Sequence, residues 1–221
     1  MFMAGHSLNF YKYGNEEAPE NLVILLHGYG SNGQDLITLA PEWGDDMPKT
    51  LFVSPDAPQQ CEISAFGFQW FSLMDRREDV MLSNINPAAP ILEKFIQDCS
   101  DNFKIPFEKI ALVGFSQGTM MSLYTAPRMD KAIAGVLGFS GALLNGKALM
   151  DAPDKFLKFP IYLAHGSADE VVPVDMFDEA HAFLQGAGYD VQGHITPGLG
   201  HGIDLEGVQK GHDFLKRILY P

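Results

Sequence analysis

The chain has 221 residues, 46% of them hydrophobic, 11% aromatic and 19% charged, which suffices to bury a core and fits a single domain over 1–221. Asp and Glu number 28 against 15 Lys and Arg, and the formal charge of −13 disfavours a nucleic-acid partner, the more so because the Arg76-Arg77 pair is followed at once by Glu78-Asp79. The longest aliphatic run, 22–26, is far short of the roughly 20 residues that span a bilayer, so no membrane span is expected.

Residues 1–14 contain neither a basic leader nor a continuous apolar stretch, so no secretory signal is expected and the location reads as cytoplasmic. Residues 7–13 suit an antiparallel edge strand. Apolar runs at 22–26 and 51–53 end in Gly, Ser or Pro and read as buried parallel strands. The segment 57–86 holds no sustained period, and long irregular stretches inside compact domains are usually functional. It is read either as a satellite core under a loop or as a substrate wall. As a wall, it offers Phe66, Phe68, Trp70, Met74 and Leu82 as substrate-binding residues. A helix is predicted over 87–103, with Ala88, Ile91, Leu92, Phe95, Ile96 and Cys99 on its apolar face. Further strands are predicted at 110–113, 133–139, 161–164 and 190–196, and further helices at 117–126, 174–185 and 205–219. This alternation gives an α/β layered fold with a mostly parallel sheet. Cys61 and Cys99 are too few for a disulfide framework and lack metal-ligand spacing, and both are read as thiols.

The sharpest chemical feature is Gly114-Phe115-Ser116-Gln117-Gly118, a G-x-S-x-G pentapeptide between a predicted strand and a predicted helix. A serine on so tight a turn takes a strained backbone, and flanking glycines remove the side chains that would clash there. The helix amino terminus adds positive potential and unbonded N–H groups. Ser116 is therefore the expected nucleophile.

A serine hydroxyl needs a base, and the base needs an acid to orient it. On this kind of turn the acid and then the histidine follow the serine in the chain, which leaves His165, His181, His194, His201 and His212. His201 stands in the glycine-rich turn 197–202 after the last predicted strand, where loops converge at the carboxyl edge of a sheet. His181 and His212 fall in helical patterns, His194 falls in a strand, and His165 precedes the best acid. That acid is Asp169, in the turn leaving 161–164, with Glu170 as its nearest competitor. Asp175, Asp178 and Glu179 belong to the following helix. Acyl transfer also needs N–H donors for an oxyanion. The backbone of Gln117, after the nucleophile, is one; that of Tyr29, in the glycine-rich stretch 27–33, is the other.

Taken together, 25–30, Pro55-Asp56-Ala57-Pro58, Gln69-Trp70-Phe71, 114–118, His165-Gly166 with Asp169 and 171–173, and Gly200-His201 resemble the small α/β-hydrolases of the carboxylesterase, phospholipase and acyl-protein thioesterase family, almost end to end. The resemblance implies an α/β-hydrolase fold with helices on both faces and no large cap domain. It implies a cofactor-free serine hydrolase acting on small acyl esters, thioesters or lysophospholipids, often as a homodimer. The chain departs from the family pattern at Thr119, where glycine or a small residue is usual, at Ser72, where an acidic residue is usual, and at Tyr29, where leucine is usual. An acyltransferase or peptidase on the same scaffold, or a binding protein that retains the fold, are the alternatives. A peptidase of this type usually carries a second domain, for which the chain has no room, and no residue of the Ser, His and Asp set is missing. A dienelactone hydrolase would carry cysteine at 116, and no ligand-spaced cluster points to a metal.

Overall fold

The structure, a computed structural model, describes residues 7–221. Residues 1–6, on which part of the amino-terminal reading rests, lie outside the described residues. In chain order the strands are β1 (Phe10–Gly14), β2 (Asn21–Leu26), β3 (Thr50–Pro55), β4 (Gln59–Gln60), β5 (Phe68–Gln69), β6 (Ile110–Phe115), β7 (Gly135–Phe139), β8 (Ile161–Gly166) and β9 (Val191–Thr196). The α-helices are α1 (Gly33–Leu36), α2 (Pro41–Gly44), α3 (Glu78–Phe103), α4 (Gln117–Thr125), α5 (Gly146–Asp151), α6 (Asp175–Gly186) and α7 (Leu205–Leu219).

Seven strands form one sheet in the order β1-β3-β2-β6-β7-β8-β9, and only β1 runs antiparallel, paired to β3. Because successive side chains on a strand point to opposite faces, β2 feeds two cores at once. Leu22, Ile24 and Leu26 pack on one face with α3, α4 and α6, while Val23 and Leu25 pack on the other with Trp43, Phe214 and Leu215. Helices on both faces explain why the central strands read as continuous apolar runs rather than alternating ones. Among the described residues no separate cap domain covers the carboxyl edge of the sheet.

The largest departure from the sequence reading is α3. It begins at Glu78 and runs through Pro87 and Pro90, whereas the predicted helix starts at Pro87. Proline lacks the N–H that an interior helical position donates. Here both prolines are exposed, as are Ser83 and Asn86 four residues before them, so the carbonyls left without a donor face water. The irregular segment therefore ends at 77 rather than 86, and it contains the short β4–β5 hairpin. Short helices α1, α2 and α5 are also absent from the sequence reading, each being too brief to show a period.

Candidate active site

Ser116 sits between β6 and α4 with φ 54° and ψ −113°, a backbone that side chains rarely adopt. Its neighbours show why the turn is so tight. A Cβ at Gly118 would lie 1.8 Å from Leu26 O, and one at Gly114 would lie 2.4 Å from Thr119 N. Thr119 braces the turn. Its Oγ1 lies 2.8 Å from Gly114 O and 2.9 Å from Phe139 O, one of which takes its proton, and accepts the Phe139 N–H at 3.1 Å.

The structure brings Ser116, His201 and Asp169 together from three loops at the carboxyl edge of the sheet. His201 Nε2 lies 3.0 Å from Ser116 Oγ, and its Nδ1 lies 2.7 Å from Asp169 Oδ2. An ionised carboxylate only accepts, so the ring proton sits on Nδ1 and Nε2 is left to accept from the serine hydroxyl. Asp169 is fully buried at its side chain. Burial pushes its carboxyl up, but the His201 ring and the Val172 and Val171 amides outweigh this and hold it below the usual carboxylate range. Both amides donate to Oδ1 at 2.9 Å. The loops carrying the acid and the histidine are tied to each other. Ser167 N–H donates to Thr196 O at 3.0 Å, Ala168 N–H to Leu199 O at 2.9 Å, and Gly198 N–H to Ser167 Oγ at 2.8 Å.

The competing residues lie elsewhere. Glu170 is exposed. His194 Nδ1 meets Tyr162 Oη at 3.1 Å, His181 stacks on Phe177, and His212 lies near Asp46 and Asp213. His165 is buried behind the acid. Its Nε2 lies 2.8 Å from Val172 O and 3.4 Å from Asp169 Oδ2, a support that the sequence reading did not assign.

Tyr29 lines the cavity beside Ser116, and Gln117 follows the serine directly in the chain. Gln117 opens α4, so its N–H has no intrahelical acceptor, and the Tyr29 N–H donates to no group among the described residues. The Gln117 side chain does a second job. Its Oε1 accepts the Trp70 N–H at 2.9 Å and its Nε2 donates to Phe71 O at 2.7 Å, which fastens the Trp-Phe segment beneath the loop. Trp70 Nε1 donates to His27 O at 3.0 Å. His27 Nε2 in turn accepts the Ala57 N–H at 3.0 Å and Nδ1 donates to Gly28 O at 2.8 Å, so this ring is neutral. Burial first of all lowers its pKa.

A cavity of about 1130 Å³ opens over Ser116 and His201. Its walls differ from those expected. Of the five predicted substrate-binding residues, none lines it. Phe66 is 91% exposed and Met74 69% exposed, and neither lines the cavity. Trp70 is wholly buried under the 27–30 loop, and Phe68 and Leu82 pack on the sheet core. The same segment does reach the cavity through Leu73 and Met81. Met81 and Leu82 are neighbours on α3 and are therefore about 100° apart around its axis, so one faces the cavity and the other the core. The opposite wall comes from β7–α5 and α6, with Leu143, Leu144, Met176 and Phe183. Met176 and Phe183 are seven apart, two turns of one helix face, while Phe177, Ala180 and Leu184 turn to the sheet. That spacing was present in the sequence but carried no mark of which face met a ligand. Among the described residues no group of three or more His, Cys, Asp or Glu is placed to hold a metal ion.

The sequence profile of the phospholipase/carboxylesterase family matches residues 13–219. A Gibberella zeae protein named acyl-protein thioesterase 1 is 30% identical over 214 residues, covering 90% of this chain and 91% of its own length. The crystal structure of esterase PE8 superposes with a TM-score of 0.89 at 36% identity, with 96% of this chain and 99% of that one covered. The structure of Zea mays acyl-protein thioesterase 2, at 20% identity and a TM-score of 0.76 over 96% of this chain and 99% of that one, shares the fold. The chain thus belongs to the phospholipase/carboxylesterase family of α/β-hydrolases, serine hydrolases of ester and thioester bonds.

Proposed function

We propose that the chain, acting as a single catalytic domain, cleaves carboxylic esters or acyl thioesters through an acyl-enzyme on Ser116. His201 Nε2 takes the proton as Ser116 Oγ attacks the acyl carbonyl, and Asp169 holds the imidazole in the Nδ1–H tautomer and stabilises the imidazolium. The N–H groups of Tyr29 and Gln117 stabilise the tetrahedral oxyanion. His201 then protonates the leaving alcohol or thiol. Water, deprotonated by the same ring, releases the acid and restores the hydroxyl. The acyl chain lies between Leu73 and Met81 on one side and Met176 and Phe183 on the other.

The observation that supports this reading most strongly is the relay of 3.0 Å and 2.7 Å from Ser116 through His201 to a buried Asp169, at the mouth of a largely apolar cavity. The name carried by the Gibberella zeae relative makes an S-acylated protein a candidate substrate beside small esters and lysophospholipids. The proposed location is the cytoplasm, which suits two cysteines, Cys61 and Cys99, that form no disulfide.

The test compares p-nitrophenyl esters with acyl thioesters of matched chain length, for the parent protein and Ser116→Ala. The variant is expected to remain folded and to lose up to about 10⁶ in kcat on both series. Substantial turnover by Ser116→Ala would overturn the nucleophile assignment. The ratio of kcat/KM between the two series decides between an esterase and a thioesterase.

A further inference from the structure

The loop that carries Tyr29 is a tight turn closed by the Ser31 N–H, which donates to Gly28 O at 3.2 Å. Tyr29 stands between Gly28 and Gly30, the latter at φ +84°, and the Gly28 carbonyl, in the same peptide plane as the Tyr29 N–H, also accepts from His27 Nδ1 at 2.8 Å. The loop is held from outside by the β4–β5 hairpin. Gly30 N–H donates to Phe68 O at 2.9 Å and Phe68 N–H to Ser31 O at 2.7 Å. Gly67 lies so near that a Cβ there would be 1.9 Å from Gly30 O. These ties hold the turn on both sides of Tyr29 and its peptide plane at the Gly28 carbonyl, and leave the Tyr29 side chain to be held separately.

Tyr29 has a tie of its own. Its phenol donates to Glu62 Oε2 at 2.7 Å, and Ser72 Oγ donates to the same oxygen at 3.0 Å. Glu62 is held in turn, because its N–H donates to Gln69 Oε1 at 3.0 Å. The Tyr29 phenol and the Ser72 hydroxyl thus converge on one carboxylate. A leucine at 29 would make no such bond, and an acidic residue at 72 would repel Glu62.

We propose that Glu62 is a positioning residue for acyl transfer, which acts through the Tyr29 phenol, with Ser72 as its second support, to hold the Tyr29 backbone N–H at the oxyanion position. This rests on the reading of Tyr29 N–H as an oxyanion donor. A donor displaced by a fraction of an ångström still admits substrate but stabilises the transition state less, so the effect belongs to kcat rather than KM.

The experiment uses Tyr29→Phe, which keeps the ring in the cavity wall, with Glu62→Ala, Glu62→Gln and the Tyr29→Phe/Glu62→Ala double variant. Each is assayed on p-nitrophenyl butyrate and titrated with an alkyl trifluoromethyl ketone. The Ser116 adduct of that ketone carries the oxyanion. Tyr29→Phe and Glu62→Ala should each lower kcat about 10-fold to 100-fold with KM little changed, and raise the inhibition constant by a similar factor. The double variant should be no worse than either single one, because both remove one bond. Glu62→Gln, whose amide oxygen still accepts from the phenol, should retain most of the activity. Additive losses, or a change in KM with kcat and inhibitor affinity intact, would overturn the proposal and leave these groups as cavity rim. If the parent protein binds the trifluoromethyl ketone no more tightly than the matched methyl ketone, the oxyanion reading itself fails, and this inference with it.

Discussion

Asp169 and Glu170 are adjacent acids with opposite surroundings, one buried against His201 and two amides, the other in water. Asp169→Asn should lower kcat about 10⁴-fold, because the amide favours the wrong His201 tautomer, while Glu170→Gln should leave kcat near that of the parent. The reverse result would show that the other carboxylate orients the ring. His27 offers a stability test. Its pKa is lowered in the folded protein, chiefly by burial, so below the unfolded value of about 6.5 the unfolded chain binds the extra proton and stability declines as pH falls. Above that value the term vanishes, and below the folded pKa it levels off. Melting curves from about pH 8 to pH 5 should show a shallower acid-side decline for His27→Gln than for the parent. Equal slopes would mean that another group titrates. That Ser116, His201 and Asp169 would meet was legible in the sequence because each stands in a turn just after a strand. His165, His27 and Glu62 were not, since a buried brace is recognised only by what it touches.

At the scale of elements, β6, the turn at Ser116 and α4 form where the pentapeptide places them, and α7 keeps its predicted bounds. The wall of the cavity was misassigned because aromatic content in 57–86 identifies apolar supply without direction. Trp70 and Phe71 fill the core, and the cavity face passes to Leu73, Met81 and one stripe of α6. If that stripe receives the acyl chain, each methylene buried contributes about 0.8 kcal/mol and kcat/KM should rise about fourfold per carbon until the cavity is filled. Met176→Trp should shift the optimum to shorter chains, with a larger loss on long esters than on the acetyl ester. Phe66→Ala should leave the chain-length profile as it is. A profile altered by Phe66→Ala but not by Met176→Trp would return the acyl site to the hairpin.

For the whole molecule, a charge of −13 acts at a distance that no single contact explains. An ester bearing a carboxylate should therefore be hydrolysed with a kcat/KM that rises as salt is added up to about 0.15 M, where screening acts within about 8 Å, while a neutral ester of equal size should respond little. Equal salt dependence for both would place the effect in the protein's own stability rather than in encounter. The sequence alone determined the layered α/β class, the parallel strands and the chain order of serine, acid and histidine, because apolar periodicity and tight-turn chemistry are local properties of neighbouring residues. It could not determine that α3 runs through two prolines, since that depends on which carbonyls face water. Nor could it determine the residues around Ser116, because Met81, Leu144, Met176 and Phe183 come from segments far apart in the chain. Their common surface exists only once the sheet order has brought α3, α5 and α6 to one face.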